Sequence, residues 1–78
     1  MSKIVEYLRD EKRGANIRKL LLFCKDEPRS WPKIVKSEIP NADLLFTEMV
    51  QEKALVFQRE GKGYITSDDA KAALEATS

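Results

Sequence analysis

The sequence predicts an α+β fold that is mostly helical and carries one small antiparallel β-hairpin. Three observations carry that prediction. Residues 54–66, Ala-Leu-Val-Phe-Gln-Arg-Glu-Gly-Lys-Gly-Tyr-Ile-Thr, alternate apolar and polar side chains, turn on Gly-Lys-Gly and alternate again, the pattern of a hairpin. Ile17, Leu20, Leu21 and Cys24 recur at i, i+3, i+4, i+7, an amphipathic helix. Between these lie two short helical segments separated by only Ile39-Pro40-Asn41, so the helices must cross steeply in a helix-turn-helix arrangement.

Taken in order, the first helix starts at Ser2 as N-cap and puts Ile4, Val5 and Leu8 on one face. Gly14 interrupts the pattern, as a C-cap or as a weak point in a longer helix, and Asn16 can cap the second helix. Leu22 and Phe23 widen the stripe of that helix, which ends before Pro28 and is expected at the centre of the core. Ser30 then caps a short helix with Pro32 in its first turn, ending at Pro40. Asn41 caps the helix running from Ala42 to Lys53. After the hairpin, Thr66-Ser67-Asp68-Asp69 opens a last helix over 67–77, the two aspartates complementing its dipole.

Composition bounds the function. Seventy-eight residues make one domain with no room for a deep substrate cavity. The apolar share of 42% supports a folded core. No apolar run approaches a membrane span, and the N-terminal stretch has no signal-like apolar segment. A single cysteine, Cys24, forbids an internal disulfide framework and fits a reducing cytoplasm. It sits on an apolar helix face and reads as a small buried hydrophobe. The chain holds no histidine, hence no ordinary general base near neutral pH and no imidazole metal ligand. A lone cysteine without that partner makes no nucleophilic site. Neither catalysis nor a cofactor or metal is expected.

The net charge of +1 is low for a dedicated nucleic-acid binder. The basic surplus lies in residues 1–30, around Lys12-Arg13 and Arg18-Lys19, which read as a second basic patch or as a solvated helix junction. Among the aromatics, Trp31 is expected as a plug over the core, with an exposed stacking role as its alternative. Phe46 and Phe57 are expected in the core, with Tyr64 packed on Phe57 across the hairpin.

From Asn16 to Leu74 the order and spacing of these pieces resemble the winged helix-turn-helix domains of small prokaryotic (bacterial, archaeal or viral) transcription regulators. The matching pieces are Ile17 to Cys24, the pair Ile34 to Ile39 and Ala42 to Lys53, Ala54-Leu55-Val56 as first wing strand, and Gly61 to Thr66 as wing tip and second strand. Thr66 to Leu74 is similar to the family's entry to its closing helix. The resemblance implies a single winged-helix domain over 1–78: an N-terminal helix over 1–13, a three-helix core over 16–53, a wing over 54–66 and a C-terminal helix over 67–77. It further implies that helix 41–53 enters the major groove of double-stranded DNA while the wing, at 59–63, contacts the backbone, and that any third strand is a minimal one near Arg29-Ser30, where members of the family often add a short pairing to the wing.

On a helical wheel Leu45, Phe46, Met49 and Val50 face the core. Leu44, Thr47, Glu48 and Gln51 face outward, with Asn41 at the start. Thr47 and Gln51 suit base edges and Leu44 a thymine methyl, but none is cationic, and Glu48 has the wrong sign for phosphate. Phosphate neutralisation then falls to Arg29, Lys33, Lys36, Arg59 and Lys62. The alternatives are a solvated helix face for Lys33 and Lys36, a polar turn residue for Lys62, and an ion pair with Glu60 for Arg59. Three functions are expected, in this order: a DNA-binding transcription regulator; a protein-interaction module docking a partner protein through the uncharged face with Leu44; and an RNA-binding or ribosome-associated domain. A homodimer is expected through Ile4, Val5, Tyr7 and Leu8 of the N-terminal helix, in preference to Ala70, Ala73 and Leu74 of the C-terminal helix, because larger side chains bury more area, unless Ile4, Val5 and Leu8 close the domain's own core.

Overall fold

A computed structural model describes residues 3–78; the expected cap Ser2 lies outside the described residues. The architecture is α+β and 53% helical, with a two-stranded antiparallel hairpin. The elements run α1 (Lys3–Leu8), α2 (Gly14–Phe23), α3 (Trp31–Val35), α4 (Ala42–Gln51), β1 (Leu55–Gln58), β2 (Gly63–Thr66) and α5 (Asp68–Ala76).

The periodic stripe of α2 is the centre of the core. Ile17, Leu20 and Leu21 on the helix, and Cys24 just after it, have no solvent exposure, and neither do Ile34 of α3 and Met49 of α4. On α1, Ile4 and Leu8 are buried in the same cluster as Ala70, Ala73 and Leu74 of α5, and the two helices pack against each other. The apolar face of α1 is therefore used inside one chain, and the side chains expected to pair two copies are mostly spent on the core.

The junction between α1 and α2 is tighter than the sequence pattern implies. Asn16 caps nothing, because α2 begins two residues earlier, at Gly14. A β-carbon at Gly14 would stand 2.3 Å from the Leu8 carbonyl oxygen, so only glycine lets the two helices meet there. The turn is held by Asp10, whose carboxylate accepts from the backbone N–H of Lys12 and of Arg13, both at 2.8 Å. Those two N–H groups hold the Asp10 carboxyl below its ordinary pKa. A carboxyl with a lowered folded-state pKa adds stability above its unfolded value, about 3.9, and loses it as pH falls through the folded value. In urea titrations Asp10→Asn is expected to be the less stable protein at pH 7, with the gap to the parent closing toward about pH 2; a gap that stays constant with pH would rule out this role.

The helix pair also ends differently from expectation. The α3 helix stops at Val35 instead of continuing to Ile39. The Ser37 hydroxyl donates to the Ile34 carbonyl at 2.6 Å, and the chain turns through residues 37–41 into α4. Asn41 precedes α4 in the left-handed region (φ 56°) and makes no side-chain cap bond, so its contribution is backbone conformation, which Asn tolerates. At the other end, Lys53 is left-handed as well (φ 60°). The Lys53 N–H donates to the Val50 carbonyl and the Ala54 N–H to the Met49 carbonyl, the bond pattern of a Schellman motif, which glycine usually closes. Lys53→Gly is expected to raise stability by about 0.5–1 kcal/mol; an unchanged or lowered denaturation midpoint would contradict this.

The hairpin pairs Leu55 with Thr66, Val56 with Ile65, Phe57 with Tyr64 and Gln58 with Gly63. The expected third strand is present as a single bridge: Arg29 and Tyr64 exchange backbone hydrogen bonds at 3.0 and 2.8 Å. Thr66 is buried, its hydroxyl donating to the Leu21 carbonyl, which ties the base of the hairpin to α2. Ser67 caps α5 by accepting from the Ala70 N–H. Arg18 reaches across to the other end of α5 and donates to the Leu74 and Thr77 carbonyls, satisfying groups a helix C-terminus leaves unpaired.

Two aromatic expectations fail. Trp31 is 50% exposed, because the single buried position of the short α3 is taken by Ile34. Trp31 and Val35, at i and i+4, stand as an apolar shoulder beside it. Phe57 is 58% exposed: Leu55, two residues earlier on the same sheet face, fills the core, and Phe57 lies beyond its edge. It still packs edge-on against Tyr64, with ring centroids 5.3 Å apart, and Tyr64 in turn meets the buried Phe46 at 4.7 Å.

Candidate nucleic-acid interface

The outward row of α4 is Leu44, Thr47 and Gln51, all exposed, with Asn41 exposed at its start. Leu44 is the most exposed large apolar side chain described, at 62%. The Thr47 hydroxyl donates to the Asp43 carbonyl at 3.1 Å, a bond back along its own helix.

Glu48 leaves this face. It is half-buried, and the Arg13 guanidinium donates to both of its carboxylate oxygens at 2.8 Å. Arg13 also lies 5.6 Å from the centre of the Tyr7 ring and 3.8 Å from Asp10. One turn on, Glu52 accepts from the Tyr7 hydroxyl at 3.3 Å. Desolvation, the Glu52 and Glu48 charges and this bond all push the Tyr7 pKa up. Both carboxylates of this flank are thus turned toward the α1–α2 junction.

The candidate cations divide into two groups. Arg29 is committed to the fold: its Nε donates to the Phe23 carbonyl at 2.9 Å, its guanidinium pairs with Glu27 at 2.6 Å and stacks 4.6 Å from the centre of the Phe23 ring. Lys33 and Lys36 on and just after α3, and Arg59 and Lys62 in the hairpin loop, are exposed. Their side chains form no ion pair or hydrogen bond with any described residue, so the Arg59–Glu60 pair is not made. Lys62 holds a left-handed conformation at the tip (φ 52°). Both α3 and β1 pack against α4; Lys33 lies on α3 and Lys36 just after it, while Arg59 and Lys62 lie in the loop beyond β1.

The Lys12-Arg13-Arg18-Lys19 cluster does not survive as a patch. Arg13 and Arg18 are spent on Glu48 and on α5, leaving Lys12 and Lys19 exposed. Sequence reasoning misses both links because their partners lie 35 and 59 residues away. Cys24 is buried, and burial pushes its thiol up to about 11, far from the thiolate a nucleophile requires.

Compared with known proteins, the chain matches no family model, no curated protein and no solved structure. Among the described residues no three His, Cys, Asp or Glu side chains gather where they could hold a metal ion. No helix among them is long and apolar enough to cross a membrane.

Proposed function

We propose that the chain is a winged-helix DNA-binding domain of a small transcription regulator, with the outer row of α4 in the major groove and the loop between β1 and β2 on the backbone. The observation that carries this reading is the set of four exposed, unpaired cations, Lys33, Lys36, Arg59 and Lys62, on or next to α3 and the hairpin, the two elements that pack against α4 beside α2. Phosphate contacts supply most of the affinity of such domains and fix their register, while uncharged side chains at the base edges select sequence. Here Thr47, Gln51, Leu44 and Asn41 are the readers. Arg29 supports the interface indirectly, by bracing the end of α2 against the hairpin.

The withdrawal of Glu48 onto Arg13 supports the same reading by removing the only carboxylate expected in the outer row. The function belongs in the cytoplasm, where the buried Cys24 thiol stays reduced. Binding of a labelled random-sequence duplex, followed as a function of salt, tests the proposal.

A second reading has its own observation. Leu44 at 62% exposure and Trp31 at 50% are large apolar side chains in water, and α4 presents no cation at its outer row. A partner protein docking there would bury them, in keeping with the anchor role of such residues in interfaces. Duplex binding that is absent at low salt would favour this reading.

A further inference from the structure

Between α2 and the connection from α3 to α4 lies an open groove of about 650 Å³, lined by Lys19, Leu22, Phe23, Ser37, Glu38 and Ile39. Two features of this groove are unexplained by the fold. The run Leu20-Leu21-Leu22-Phe23 makes this stretch of α2 apolar on every side, yet Leu22 remains 47% exposed, and a helix apolar all round is normally covered all round. The groove also carries one cation on its α2 wall, Lys19, and one anion on its other wall, Glu38. Both are exposed, and neither forms an ion pair with a described residue.

We propose that this groove is the contact of a two-fold homodimer. With the two-fold axis over the open groove, each wall faces the opposite wall of the other copy, the reciprocal pairing of an isologous interface. Lys19 of one copy then meets Glu38 of the other, twice, while Leu22, Phe23 and Ile39 of both copies close over each other between the two pairs. The groove carries no net charge, so it suits a copy of itself better than a strongly acidic or basic partner. Its wall is preformed: Arg29 stacked on Phe23 holds that ring in place, so little ordering is lost on association. Three apolar residues a side make a small interface of the weak, transient class. The proposal does not rest on DNA binding.

Sedimentation equilibrium of the protein alone, over about 10 µM to 1 mM, covers the range for such contacts. The parent should pass from monomer to dimer within it, and Leu22→Asp should raise the dissociation constant roughly tenfold or more. Lys19→Glu and Glu38→Lys should each weaken self-association several-fold. An equimolar mixture of these two variants should dimerise about as well as the parent, because the mixed dimer contains two opposite-charge pairs and each pure variant contains none. A parent that stays monomeric throughout, or a mixture no better than its components, would overturn the proposal. All three positions are solvent-exposed, and the mixing experiment decides the matter even if Leu22→Asp proves poorly folded.

Discussion

Leu8→Glu should unfold the domain. Leu8 is 7% exposed in the cluster that joins α1 to α5, so the change removes an apolar side chain worth about 2–5 kcal/mol in a packed site and buries a carboxylate in its place. Domains of this size have only about 5–15 kcal/mol of stability in total. Circular dichroism and a urea melt would show an unfolded or molten chain at neutral pH. A folded Leu8→Glu protein, monomeric or not, would mean that α1 is not part of the core.

The second large effect is on binding. Lys36→Glu together with Lys62→Glu converts two of the four proposed phosphate-contacting cations to anions, one beside α3 and one at the hairpin tip. Affinity for duplex DNA should fall by at least about tenfold and by a similar factor on unrelated sequences, and the dependence of log K on log salt should flatten by about two units. Both residues are exposed and without protein partners, so stability should change by no more than about 0.5 kcal/mol. Arg13→Ala would act differently, freeing Glu48 beside the outer row of α4 and costing stability as well.

Much of the fold is legible in the chain, for physical reasons that differ between elements. The α2 stripe is readable because burial on one side of a helix needs nothing but spacing, and all four of its residues are fully buried. The hairpin is readable from alternation, whereas its bridge to Arg29 follows from no local pattern and is expected only from the family resemblance. Where sequence and structure part, a neighbour that local pattern does not reveal decides the outcome. Gly61-Lys62-Gly63 has the composition of a turn that needs its glycines for positive φ, yet neither glycine has it, and Lys62 adopts that conformation instead. They are glycines because space is short: a β-carbon would lie 2.4 Å from Pro28 at Gly61 and 2.6 Å from the Arg29 backbone at Gly63. Trp31 and Phe57 belong to the core by character, but Ile34 and Leu55 fill the places within reach.

The candidate site shows the same division. Outward positions of α4 follow from its wheel, except that Glu48 is drawn aside by Arg13, 35 residues earlier. Exposure of Lys33, Lys36, Arg59 and Lys62 follows from their places on a short helix and a hairpin tip. The capture of Arg29 by Phe23 and Glu27 does not, because it depends on how the end of α2 meets the sheet.

The central claim is that these four cations make the chain a duplex-DNA binder. The measurement that tests it most directly is fluorescence anisotropy of a labelled random duplex of about 20 base pairs, titrated with the protein at several concentrations between about 50 and 200 mM salt. Four phosphate contacts predict log K falling against log salt with a slope of about −3 to −4. No binding at the lowest salt, or binding that is indifferent to salt, would contradict the account.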